Sequence, residues 1–236
     1  MKYFTKLVFG KTNLPKEAFI FAGSFYPKSE FKKIFGLFDS VEKLSDFPPA
    51  LFYEAKRKNK RYLLCFGAYG GSNTLEIVNL LSGGKVKNIY FFGWAGTYKM
   101  IDVGMINIPK KVRALDGICG LDKKNLKFSQ PSKELLYSIK INDSFSGTHC
   151  TIPALGVLHG IKKIDTEAKD YDSIDIELSV VLHFAKKEKM NAIGVLIITD
   201  SPKNHKEIIN ADAYFNNKTR YEILMKALLE FFNSKK

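Results

Sequence analysis

The chain has 236 residues, 45% of them hydrophobic, enough to bury the core of one sizeable domain, and no apolar run approaches a membrane span. Three widely separated cysteines, Cys65, Cys119 and Cys150, with no C-x-x-C, give no basis for a disulfide framework or a structural zinc site. A net charge of +13 concentrates anions around the protein, which admits nucleic acid, nucleotide or phosphate as partners.

In chain order, the opening M-K-Y-F-T-K-L-V-F-G-K-T-N mixes Lys and Asn into its apolar residues too early for a signal-peptide core, so a cytoplasmic protein is expected. A strand is expected over Ala18–Ala22 and a helix over Ser29–Phe38. The basic run Lys56–Arg61 lies between two apolar segments and reads as a solvated hairpin turn. With no interleaved aromatic residues, it is not an RNA-binding signature, and nucleic acid is not expected as a partner. A strand over Tyr62–Phe66 leads through a glycine-rich turn, Phe66–Ser72, into a helix over Ser72–Leu81. That turn lacks G-x-G-x-x-G and the Lys-Ser/Thr ending of a P-loop, so neither a dinucleotide nor ATP is indicated. The helix start nevertheless offers backbone N–H groups to an anion. A strand over Ile89–Phe92 ends in a second glycine turn, Phe92–Thr97, and Met105–Ile108 is another strand. A helix over Ile176–Met190, a strand over Ala192–Ile198 and a helix over Arg220–Phe232 follow. The alternation predicts an α/β protein, and the absence of repeats or linkers predicts one domain over 1–236.

Chemistry concentrates in the block from Ser173 to Asp200. Glu177 stands at a helix start, and Asp200 ends a V/I/L-rich strand whose composition suits burial on both faces. In open α/β sheets ligands collect beyond the carboxyl ends of the strands, so both acids can reach one crevice. Each also has a structural reading: an acid favoured by the helix dipole for Glu177, and a turn residue before Ser201-Pro202 for Asp200. His183, on the apolar side of its helix, reads as a packed core histidine. No metal-ligand cluster is visible, and no cofactor is expected.

These pieces resemble the nucleoside phosphorylase family, which includes purine nucleoside phosphorylase, uridine phosphorylase and methylthioadenosine nucleosidase. The resemblance rests on Gly93-Trp94-Ala95-Gly96, Gly147-Thr148-His149-Cys150-Thr151, Ile174-Asp175-Ile176-Glu177 and Thr199-Asp200, in that order and at family spacing. It covers about Phe19 to Leu229 and is strongest over Gly147–Asp200. It implies a three-layer sandwich, a mixed central sheet flanked by helices on both faces, and a role in nucleoside metabolism of the purine-salvage kind. It also implies a homo-oligomer, dimer or hexamer, acting on a small nucleoside. Glu177 is implied as the acceptor for the ribose 2′- and 3′-hydroxyls, and Asp200 as the acid at purine N7. Ile176, Asp175, Thr151, His149, Trp94, Gly93 and Gly70 are implied around the substrate. The loop T-I-P-A-L-G-V-L-H-G lacks the Gln and Arg of uridine-specific relatives, which favours a purine.

The anion site departs from the family. Family phosphorylases hold phosphate with an N-terminal G-D-P-x-R, a strand Arg and a Ser/Thr in the glycine turn. Here Ala22–Lys28 reads A-G-S-F-Y-P-K, Phe91 stands near the Arg position and Trp94 replaces the hydroxyl residue. A partner-subunit Arg of the hexameric enzymes maps to 47–49, where there is none. Gly23 and Lys28 are the remaining candidates for an anion. Phosphate as co-substrate, water as acceptor, and a non-catalytic nucleoside-binding protein therefore all stay open.

Overall fold

Alternation along four strands sorts the core onto two faces of one sheet. The strands are β1 (Glu17–Ala22), β4 (Lys60–Ala68), β5 (Asn88–Gly96) and β12 (Asn191–Asp200). Ala18, Ile20, Leu63, Cys65, Ile89, Phe91, Leu196 and Ile198 face one way. Phe19, Phe21, Tyr62, Phe66, Tyr90, Phe92, Val195 and Ile197 face the other. The computed structural model describes residues 2–23, 28–47, 50–124, 126–156, 160–203 and 217–234, with the side chains of 28–30 and 217–219 undescribed.

Each face needs a cover, since all four strands are buried along nearly their whole length. Helices α1 (Lys2–Phe9), α3 (Gly70–Gly83) and α7 (Leu178–Lys187) pack on the first face through Phe9, Ile77, Leu81, Val181 and Phe184. Helices α2 (Lys28–Phe35), α5 (Lys133–Ser138) and α8 (Asn217–Ser234) cover the second through Ile34, Leu135, Leu224 and Phe231. The second face is largely aromatic: Phe21 stacks on Phe66 at 4.7 Å, and Phe231 meets Tyr90 edge-on at 4.7 Å. The result is the expected α/β three-layer sandwich around a mixed sheet.

Strands β4, β1, β5 and β12 run parallel side by side, so their carboxyl ends share one edge. β11 (Ser173–Asp175) joins β5 there, Ile174 pairing antiparallel with Gly96, and β10 (Thr148–Thr151) lies parallel to β11. Two bulges shape that edge. Gly67, at φ +104°, is the extra residue between β1 and β4, and Thr199 is the extra residue between β12 and β5.

Most expected elements are present with shifted ends. The basic run forms a hairpin whose turn residues, Lys58 and Asn59, take φ +47° and +62°. Two expectations need correction. The glycine turn after Phe92 is strand as far as Gly96, because Leu196–Ile198 pairs along it. His183 is not in the core but at its margin, with Nε2 2.8 Å from Asp122 Oδ2.

Candidate active site

The convergent strand ends enclose a cleft of about 480 Å³, part of it open solvent. Its walls are Ala22 at the end of β1 and Gly23 just after it, Tyr69 before α3, Trp94–Gly96 from β5, Leu155, Ile174–Glu177, and Thr199 and Asp200 from β12. The two carboxylates singled out in the sequence therefore reach one space. Glu177 and Asp200 are 4% and 8% exposed, so each is held rather than solvated. The bulge at Thr199 re-aims Asp200, and the Thr199 hydroxyl donates to Asp200 Oδ2 at 2.7 Å.

Glu177 is fixed from an unexpected quarter. Gly70, at φ +71°, begins α3, and its N–H donates to Glu177 Oε1 at 2.7 Å. The helix N-terminus expected to face an external anion thus faces a carboxylate of the protein itself. Burial, reinforced by the charge of Asp175 and opposed by the Gly70 N–H, pushes the Glu177 carboxyl up to about 8.

Asp175 does structural work at the cleft wall. Its Oδ1 accepts from the Thr151 hydroxyl at 2.7 Å, and its Oδ2 accepts from the Leu178 N–H at 2.8 Å, one of the free N–H groups at the start of α7. His149 Nε2 lies 2.8 Å from Asp175 Oδ1, off the line of a good hydrogen bond but within ion-pair distance. The parallel register of β10 and β11 explains the cluster: His149 pairs with Ser173 and Thr151 with Asp175.

The sequence-derived residues therefore divide. Ile176, Asp175, Trp94, Gly23, Glu177 and Asp200 line the cleft. His149 and Thr151 are fully buried behind Asp175, and Gly70 reaches the site only through its N–H. Gly93 is not a cleft wall either; a Cβ there would meet the Phe91 ring at 2.6 Å, so the glycine makes room for core packing. The Gly23 N–H is spent on Ala68 O at 2.7 Å. Phe91 is fully buried in the core, while Trp94 is half-buried with its ring edge-on to Tyr221. The Lys28 side chain, residues 24–27 and Pro48-Pro49 lie outside the described residues. Tyr69 and Leu155 were not singled out from the sequence, although Leu155 lies in the loop T-I-P-A-L-G-V-L-H-G and Tyr69 in a glycine-rich turn, and Thr199 entered only as the partner of Asp200 in the Thr199-Asp200 motif.

Among the described residues no His, Cys, Asp or Glu cluster is arranged to hold a metal ion, and no helix is long and apolar enough to cross a membrane. All three cysteines are buried and free.

Solved structures share this architecture over nearly the whole chain. A uridine phosphorylase from Vibrio fischeri, complexed with 6-hydroxy-1-naphthoic acid, matches at TM-score 0.78 and 13% identity, covering 99% of this chain and 97% of its own. A purine nucleoside phosphorylase from Toxoplasma gondii in complex with immucillin-H matches at TM-score 0.72 and 15% identity, covering 91% and 90%. The fold is that of the nucleoside phosphorylases. A Campylobacter jejuni 5′-methylthioadenosine/S-adenosyl homocysteine nucleosidase also matches, at TM-score 0.67 and 16% identity over 90% and 98%. No family model matches the sequence, and no curated protein matches it.

Proposed function

We propose that the cleft cleaves the N-glycosidic bond of a purine nucleoside, with water rather than phosphate as the acceptor. The observation that carries this reading is the convergence of Glu177 and Asp200, from a helix start and a strand end, on one crevice at the carboxyl ends of β5 and β12. Glu177, pinned by the Gly70 N–H, holds the sugar hydroxyls while positive charge develops on the ribose. Asp200, oriented by Thr199, gives a proton to purine N7 as the C1′–N9 bond breaks and its electron pair leaves with the base. Water then adds hydroxide to C1′ and returns the proton to Asp200. Ile174, Ile176, Leu155 and Tyr69 supply apolar walls for sugar and base.

The choice of water rests on what surrounds the cleft. No Lys or Arg is among its described walls, the Gly23 N–H is committed to Ala68, and the Trp94 indole occupies wall space. Phe91 sits in the core and offers a dianion nothing. Phosphate without a bidentate Arg forgoes charge-assisted bonds of about 1.5–3 kcal/mol each. A homo-oligomer acting on free nucleosides belongs to the same proposal.

The acceptor is tested by incubating the protein with inosine or adenosine, with and without phosphate, and following products by ³¹P NMR and chromatography. Free ribose with no sugar 1-phosphate is expected. Saturable phosphate dependence at low millimolar concentration, abolished by Lys28→Ala, would show a rebuilt anion site and overturn this reading. Binding without cleavage in either condition would leave a nucleoside-binding protein.

A further inference from the structure

Most of the protein's excess positive charge gathers at the edge of the sheet opposite the cleft. Four segments lead into the amino ends of β1, β4, β5 and β12: residues 10–17, 57–61, 84–88 and 186–191. Together they carry eleven Lys and Arg against two acids, Glu17 and Glu188, an excess of nine out of the net +13. The basic run Lys56–Arg61, which alone reads as a solvated turn, is one part of this larger surface.

The register of the sheet brings the cations into line. Glu17 pairs with Tyr62 on one side and Asn88 on the other, and Asn88 pairs with Asn191. The residues just before them, Arg61, Lys16, Lys87 and Met190, stand in one row, with exposed Lys189 beside the buried Met190. Lys16 O accepts from the Lys87 N–H at 2.8 Å, and Lys87 O from the Asn191 N–H at 2.8 Å. Adjacent strands lie about 4.8 Å apart, so cations from four strands line up over about 15 Å. Lys60 joins Lys16 and Arg61 on the walls of a recess of about 1000 Å³, part of it open solvent, between the starts of β1 and β4.

The acids nearby do not cancel this row. Glu17 accepts from Asn88 Nδ2 at 2.7 Å and from the Tyr90 hydroxyl, on the second face, at 2.6 Å. Glu54 is shared by Lys11 and Arg61, and Asp122 by His183 and Lys187. Lys16, Lys60, Lys85, Lys87 and Lys189 are exposed and enter no ion pair among the described residues. Two of these occupy backbone positions that favour glycine: Lys85 and Lys189, at φ +64° and +59°, follow the ends of α3 and α7.

We propose that this edge docks duplex nucleic acid through its phosphates, without reading sequence. A straight row of cations suits a linear polyanion, whose bound counterions it would release. None of the exposed large apolar side chains lies in the four segments. Unstacked bases therefore find no aromatic platform, which favours a duplex over a single strand, and a bilayer finds no apolar anchor. The cleft opens at the other end of the strands, so docking leaves it free, and the inference stands apart from the proposed reaction.

The test is fluorescence anisotropy of the intact protein with a fluorescein-labelled DNA duplex of about 20 base pairs, in about 30–300 mM KCl. Four or five phosphate contacts should give a slope of about −4 in log affinity against log salt. A variant with Lys16→Gln, Lys85→Gly, Lys87→Gln and Lys189→Gly should bind about 30-fold or more weakly at low salt, with a slope near about −1. Its nucleoside turnover and melting temperature should change little, since glycine suits both left-handed positions. A control with Lys110, Lys140, Lys162 and Lys163 all changed to Gln removes as much exposed charge elsewhere and should lose less than about threefold. If the first variant does not fold, Lys16→Gln with Lys87→Gln carries the test, with a loss of about fivefold or more. No binding at low salt, or equal losses in the edge variant and the control, would overturn the proposal. So would binding to phosphatidylserine vesicles through the same lysines without binding to the duplex, which would mark a membrane-facing surface.

Discussion

Replacing Glu177 by Gln should trade activity for stability, and pH should set the size of the trade. The wild-type carboxyl rises from an ordinary 4.5 to about 8 because it is buried beside Asp175. The folded state therefore binds this proton more tightly than the unfolded chain does. Its contribution is complete below pH 4.5 and is lost as pH rises towards 8. At ~1.4 kcal/mol per tenfold in proton affinity the ceiling on that loss is about 5 kcal/mol. Only about two pH units of that rise fall between pH 6 and 9, so roughly 2 kcal/mol is the expected loss over that span. For a chain of this length that is about 4–8 °C in Tm. Gln keeps the acceptor for Gly70 and carries no charge. Thermal unfolding followed by circular dichroism should show the two proteins close at pH 6 and the Gln variant several degrees more stable at pH 9. Melting curves that fall in parallel from pH 6 to 9 would show that Glu177 is not the burdened acid described above.

Asp200→Asn should lower kcat for purine nucleosides by about 10²-fold or more with KM changed less than about threefold, since protonation at N7 matters in the transition state; equal effects on both would make Asp200 a base-positioning group. Trp94→Ser should lower stability by about 1–3 kcal/mol through loss of the edge contact with Tyr221, read in urea melts. The same variant should gain measurable stimulation by phosphate, and no gain would show that the indole is not what blocks the anion. Glu54, held at about 2 by Arg61 and Lys11, supplies stability that is present above pH 4.5 and lost as pH falls towards 2. Glu54→Gln should flatten that acid slope by less than about 1 kcal/mol, because both cations are partly exposed.

The long apolar elements were legible because their periods are set by burial alone. Ala192–Ile198 is apolar on both faces, and the structure extends it only to Asn191 and Asp200. Glu177 and Asp200 were legible for the same reason, one sitting where a helix starts and the other where a buried strand stops. The polar short strands β10 and β11 were not, since T-H-C-T and S-I-D carry no apolar alternation and form only because β7 (Lys111–Ala114) and β5 flank them. That is why His149 and Thr151 read as substrate contacts: the register that buries them behind Asp175 is a tertiary fact. Gly93 misled in the same way, since a glycine signals a turn locally and here serves the Phe91 ring. Nor does any sequence pattern connect Gly70 to Glu177, 107 residues apart.

The central claim is that this cleft breaks purine nucleosides between sugar and base. Its most direct test is release of free base from a panel of inosine, adenosine, guanosine, 5′-methylthioadenosine, uridine and thymidine, measured chromatographically without phosphate. The account predicts free purine from at least one purine nucleoside, little from the pyrimidines, and loss of that activity in Asp200→Asn. Release of pyrimidine bases in preference to purines, or purine release undiminished in Asp200→Asn, would contradict it.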